Sequence, residues 1–223
     1  FFKKISNFFD LVKSMIPPKW SFWQEVKKPL LDTINMSLLG TIFGCALALP
    51  LSFFLGNNFK LPKLYLSVHK VLLSLLRTLP TLILAQIISI VVGTGTFAGT
   101  LAITIFTYTI AVKMLYEQID TVDMGPYEAM ESTGASKIKC MISAIFPQIK
   151  GYFLSTVLYC FETNVRSASV LGYVGDGGIG IQINSQLTFR NYKSVGLIIV
   201  VLIIVVVLIE TFARYLRKRL ANG

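Results

Sequence analysis

The chain has 223 residues, of which 54% are hydrophobic and only 14% charged, with a mean hydropathy of +0.67 and a net charge of +10. Soluble domains carry about 25% charged residues, so this composition points to a lipid-buried all-α chain rather than a water-soluble domain. The positive charge sits beside apolar runs instead of forming a basic face interleaved with aromatics, which argues against nucleic acid as a partner.

Residues 1–30 read as an extracytoplasmic or interfacial segment. "PPKWSFWQEVKK" places two tryptophans at a membrane boundary, as an aromatic belt does. The first residue is Phe, so a further span before it is expected, making six in all. Residues 31–220 read as the membrane domain. A span needs roughly 20 apolar residues. Span A is placed near Leu31–Leu55, inside a charge-free run from Thr33 to Phe59. The charge-free run from Thr78 to Val112 is too long for one span. Its glycines in "VGTGTFAGT" divide span B, near Val71–Val92, from span C, near Phe97–Tyr116. Span D lies near Ile142–Val170 and span E near Val195–Phe212.

Charge orients these five spans. The A–B loop holds Lys60, Lys63 and Lys70 with no acid, and Arg214, Arg217, Lys218 and Arg219 follow span E. Both read as cytoplasmic. The B–C turn and D–E loop then lie outside, and residues 117–147 inside. Residues 1–28 conflict with this count, since six lysines against Asp10 and Glu25 fall outside. A missing first span with a basic leader would resolve it. Cys45, Cys140 and Cys160 are isolated and read as buried small hydrophobes, without disulfide or metal. His69 reads as an interfacial loop residue.

"GDGGIG", residues 175–180, spells G-x-G-x-x-G but lacks a preceding strand and a later acid, so it reads as a loop former. No phosphate-binding loop, hydrolase or metalloprotease motif is legible, and no enzyme chemistry or cofactor is expected of the chain itself. Glu162 and Arg166 are four apart and share a helical face. Arg166 falls about 24 Å along the helix from Lys150. An ionisable residue at that depth faces a cavity or a partner. Two readings stand: a contact for a passing anion, or a self-satisfied pair. In "LLRTLPTLIL", Arg77 either snorkels or lines a path, and Pro80 kinks span B.

"MGPYEAMESTGASKIKCMISAIFPQ", residues 124–148, is a polar segment between greasy ones. Pro126 suits a first helical turn, Glu128 and Glu131 suit its positive end, and Gly134 permits a sharp turn. A short helix across the cytoplasmic mouth results. Glu128-Ala129-Met130, Gly134 and Ala144-Ile145-Phe146-Pro147 resemble the "EAA" loop of permeases from binding-protein-dependent ABC importers, departing from its pattern at Met130, Ala144 and Phe146. "FETNVRSASVLGYVGDGGIG" and "GTGTFAGTLAI" resemble the phosphonate-type subfamily.

The resemblance implies a type I importer permease fold in a bacterial cytoplasmic membrane, with the C-terminus inside. It implies two ABC ATPase subunits that hold the ATP and Mg, an external substrate-binding protein, and a second permease copy, a homodimer being favoured. It implies ATPase coupling through Glu128, Ala129, Met130, Gly134, Ala135 and Pro147. A phosphorus oxyanion is the implied cargo, and Arg166, Asn164, Glu162, Ser167 and Arg77 are candidates for its path. The alternative is a secondary transporter driven by an ion gradient.

Overall fold

The computed structural model describes residues 9–56, 62–175 and 177–221. The basic marker Lys60, the opening "FF" and Asp176 of the glycine loop lie outside them. Among the described residues the regular structure is helical throughout. In chain order the helices are α1 (Trp23–Leu55), α2 (Lys63–Thr78), α3 (Thr81–Val92), α4 (Thr96–Ile119), α5 (Gly125–Ser132), α6 (Lys137–Cys140), α7 (Phe146–Leu171), α8 (Ile179–Thr188) and α9 (Tyr192–Ala221).

Helix α1 begins eight residues before the expected span A and contains Pro29. Its 33 residues extend about 50 Å, beyond a hydrocarbon core of about 30 Å. Its first turns, with Glu25, Lys27, Lys28 and Asp32, therefore reach past the apolar layer. Inside the layer α1 presents small residues to α4. A Cβ on Gly40 would stand 2.5 Å from Ile103 Cγ2, and one on Gly44 would stand 2.7 Å from Thr107 Cβ. This is the small-xxx-small seam that lets membrane helices approach closely. The buried hydroxyls beside it donate back along the helix, Ser37 to Thr33 O at 2.7 Å and Thr41 to Ser37 O at 2.6 Å, so none needs water.

Span B is corrected. It is two helices, α2 and α3, bent by 93°. The expectation was a kink at Pro80, yet the chain breaks there. Leu79 is extended (φ −75°, ψ 123°) because the residue before proline is pushed out of the helical region. Pro80 then starts α3, its carbonyl accepting from Ile83 and Leu84. The expected A–B loop shrinks as well. Helix α2 takes in Lys63 to Lys70, and His69 is a helical residue whose Nδ1 lies 2.9 Å from Tyr65 O.

The turn between α3 and α4 is made by Gly93 and Gly95 at positive φ, as expected. Among the described residues four further helical segments are long and apolar enough to cross a membrane, Trp20–Leu55, Thr96–Ile119, Lys137–Leu171 and Tyr192–Leu220, besides the bent pair. The D–E loop is corrected too, because it contains α8. Gly178 (φ +70°) starts that helix against α1, and a Cβ there would stand 2.6 Å from Thr33 Oγ1. Thr33 Oγ1 accepts from Ile179 N–H at 2.8 Å. The G-x-G-x-x-G spelling is thus a packing device at a helix entrance.

The bundle has two chemically distinct ends. At the glycine end the backbone N–H of Lys19 donates to Lys193 O at 3.1 Å, tying the N-terminal segment to the start of α9. At the tail end lie Leu55, Ile119, α5, α6 and the basic end of α9. All three cysteines are buried and unbridged.

Candidate functional site

At the tail end, the polar stretch forms a rigid platform. Asp123 Oδ1 accepts from Gly125 N–H at 2.9 Å, Pro126 occupies the first turn of α5, and Glu128 stands at its positive end. Tyr127 turns inward, 5% exposed, against Ile119, Cys140, Met141, Ala144 and Ile145. Burial pushes its phenol pKa up, and the Glu131 charge adds to the effect. Gly134 (φ +83°) closes the helix, its N–H donating to Glu131 O while Ala135 N–H donates to Met130 O. That left-handed closure after the last turn is what glycine supplies most easily.

The platform is clamped to the next span by Gln148. Its Nε2 donates to Asp123 O and to Ala144 O, each at 2.9 Å, and its Oε1 accepts from Asp123 N–H at 3.1 Å. Between them, Met141–Ile145 forms a π turn just before Pro147, which sits exposed in the first turn of α7. Proline lacks the N–H and crowds the carbonyl four residues back, and a wider turn accommodates both. The result is one-sided. Met130 and Ala135 pack against the core, while Glu128, Ala129, Glu131, Gly134 and Ile138 face outward.

The second group lies part-way along α7. Glu162 is almost fully buried, and each carboxylate oxygen meets an arginine: Oε1 with Arg166 at 2.6 Å and Oε2 with Arg217 of α9 at 2.6 Å. Glu162 and Arg166 meet as their spacing predicts. Arg217, read from sequence as part of the basic tail, instead reaches back along α9 to join them. Two cations on one carboxylate leave one excess positive charge among apolar helices. The Arg166 side chain is 54% exposed, so that charge is presented outward.

Asn164 points the other way, fully buried, its amide donating to Thr41 Oγ1 at 2.8 Å and Thr107 Oγ1 at 2.7 Å. It ties α1, α4 and α7 together. Ser167, half-buried, neighbours Arg166 on α7. Arg77 stands apart, in a cavity between α2 and α4. Among the described residues no group of His, Cys, Asp or Glu is arranged to hold a metal.

Residues 48–222 match the model of one family, the binding-protein-dependent transport system inner membrane component. The chain belongs to that family. Within it, this permease is 33% identical to the phosphite transport system permease protein PtxC of Stutzerimonas stutzeri over 208 residues, 93% of this chain and 76% of that protein. It is 30% identical to the phosphate-import permease protein PhnE of Mycolicibacterium smegmatis, over 92% of this chain and 39% of that longer protein. In structure it resembles a chain of the MetNI methionine ABC transporter in an inward-facing conformation, with a TM-score of 0.76 at 21% identity, covering 91% of this chain and 99% of that one. That likeness carries the type I importer permease fold, and family membership makes the chain a membrane transport subunit.

Proposed function

We propose that this permease carries phosphonate or a related phosphorus oxyanion, phosphite or phosphate, as one of a pair of copies driven by two ABC ATPase subunits. An external binding protein delivers the cargo. ATP and Mg belong to the partners, whose movement enters through α5 with Glu128, Ala129, Met130, Gly134 and Ala135, and passes to α7 through Pro147 and the Gln148 clamp. The coupling helix and the basic tail share one end of the bundle, and we place that end in the cytoplasm, in keeping with the charge rule.

The observation that carries the cargo reading is the Arg166–Glu162–Arg217 group. One uncompensated positive charge in a low-dielectric setting attracts an anion strongly, and Arg166 has the exposed guanidinium, with Ser167 beside it. Guanidinium is the group that best matches a phosphoryl oxyanion. The two relatives named for phosphite and phosphate support the same cargo class. An ion-gradient transporter would want a titratable midplane acid free to exchange protons, whereas Glu162 is held by two arginines. Reconstitution with the ATPase and binding protein, followed by uptake of labelled phosphite, phosphate and methylphosphonate, tests the proposal. Uptake should require ATP and fall to background in Arg166→Ala with assembly unchanged. Full uptake by assembled Arg166→Ala would overturn the assignment.

A further inference from the structure

A second polar site opens between α2 and α4, a cavity of about 310 Å³. Its walls are two facing helical stripes, Lys70, Ser74 and Arg77 on α2, and Lys113, Tyr116 and Glu117 on α4. Spacings of four and three along α2, and of three and four from Lys113 along α4, put each set on one face. Thr107, which meets Asn164, lies about 120° round α4 from Lys113, so this cavity is separate from the arginine group of α7.

The charges do not balance. Three cations line the cavity against one carboxylate, Glu117. Lys113 meets Glu117 at 3.5 Å, and Lys70 lies over the Tyr116 ring at 4.6 Å. Counting Asp120, which caps the end of α4, cations still exceed acids. Lys113 is six residues from the end of α4, about 9 Å, a depth near the membrane boundary at the tail end. On its other side α2 exposes Leu64, Val68, Leu72 and Leu75, the apolar face of an interfacial amphipathic helix.

The geometry points to a phosphate-group site. A tetrahedral oxyanion seated between Arg77, Lys70 and Lys113 would neutralise the excess charge, with the Ser74 hydroxyl and the Tyr116 phenol as further donors. The phosphate arises either from an anionic lipid headgroup, its chains lying along the apolar face of α2, or from free anion on the tail-end side. The site does not depend on the cargo assignment, because it uses none of the α7 residues.

The test uses the permease assembled with its ATPase subunits in nanodiscs. Unfolding temperature is followed in phosphatidylcholine discs with added inorganic phosphate, against equal ionic strength of chloride, and in discs containing phosphatidylglycerol. All arms are read in an Arg166→Ala background, which removes any contribution of the α7 group; there Arg77→Gln with Lys113→Gln should weaken the effective binding by at least about tenfold and erase the stabilisation. Stabilisation by inorganic phosphate that the double variant loses identifies a free anion. Stabilisation confined to phosphatidylglycerol discs, and lost in the same way, identifies a lipid. Glu117→Gln, which alters only a half-exposed pair, should tighten binding and covers the case of a misfolded double variant. No stabilisation from either source, stabilisation unchanged in the double variant, or unchanged or weaker binding by Glu117→Gln overturns the site.

Discussion

Gly134 closes α5, the helix proposed to couple to the ATPase, at φ +83°, and a Cβ there would meet nothing within 4 Å. A substitution is therefore free of collisions, and its whole cost is backbone strain. An L-residue in the left-handed region costs about 1–2 kcal/mol, and a β-branched one is worse. At about 1.4 kcal/mol per factor of ten, Gly134→Val should open the end of α5 in at least about a tenfold larger share of molecules. Tyr127 and the Gln148 clamp keep the rest of the platform in place, so the spans should insert and assemble normally. The assay is the ratio of transported cargo to ATP hydrolysed in proteoliposomes. Gly134→Val should lower it several-fold, Gly134→Ala less, and Gly134→Asn least, because asparagine tolerates the left-handed region. An unchanged ratio in Gly134→Val, or equal loss in Val and Asn, would refute the reasoning, since it ties the effect to φ alone.

Other outcomes follow from the packing. Gly44→Val places a Cβ 2.7 Å from Thr107 Cβ and 2.9 Å from Thr104 O, the latter immovable backbone, so the assembled permease should be lost or strongly destabilised in detergent thermal-stability measurements. Asn164→Leu removes two buried hydrogen bonds and leaves the Thr107 hydroxyl without that donor, for about 1–3 kcal/mol; a lower unfolding temperature at near-normal transport per folded molecule is expected. Arg217→Ala leaves Glu162 paired with Arg166 alone and removes one charge-assisted hydrogen bond from a buried carboxylate, for about 1.5–3 kcal/mol. A lower unfolding temperature is expected, and a loss within the range of an exposed pair, under about 1 kcal/mol, would show the triad to be incidental.

What the sequence made legible is what depends on short-range pattern. The span cores, the glycine turn at 93–95 and the platform of 124–148 all emerge from runs and spacings. Glu162–Arg166 emerges too, because four residues make one helical turn. Arg217 does not, since its partner is 55 residues away and only the antiparallel packing of α9 on α7 brings them together. Gln148 was invisible for the same reason, its clamp spanning 25 residues. At Pro80 the sequence signalled a disturbance but not its size. A kink and a full break differ in the extended conformation of Leu79, which the packing of α2 and α3 on α4 decides. Pro147 had the opposite outcome, absorbed by a π turn within a continuous helical run. The glycines at 175–180 looked like a loop because composition hides that Ile179 and Gly180 begin a helix against Thr33.

The most direct test of the account is ATP-driven uptake by the reconstituted assembly. The permease, its ATPase subunits and the binding protein are placed in vesicles, and accumulation of labelled phosphite is measured with ATP or with an imposed proton or sodium gradient. The account predicts accumulation with ATP alone, dependent on the ATPase subunits co-purifying with this chain. Accumulation driven by an ion gradient without those subunits would contradict it.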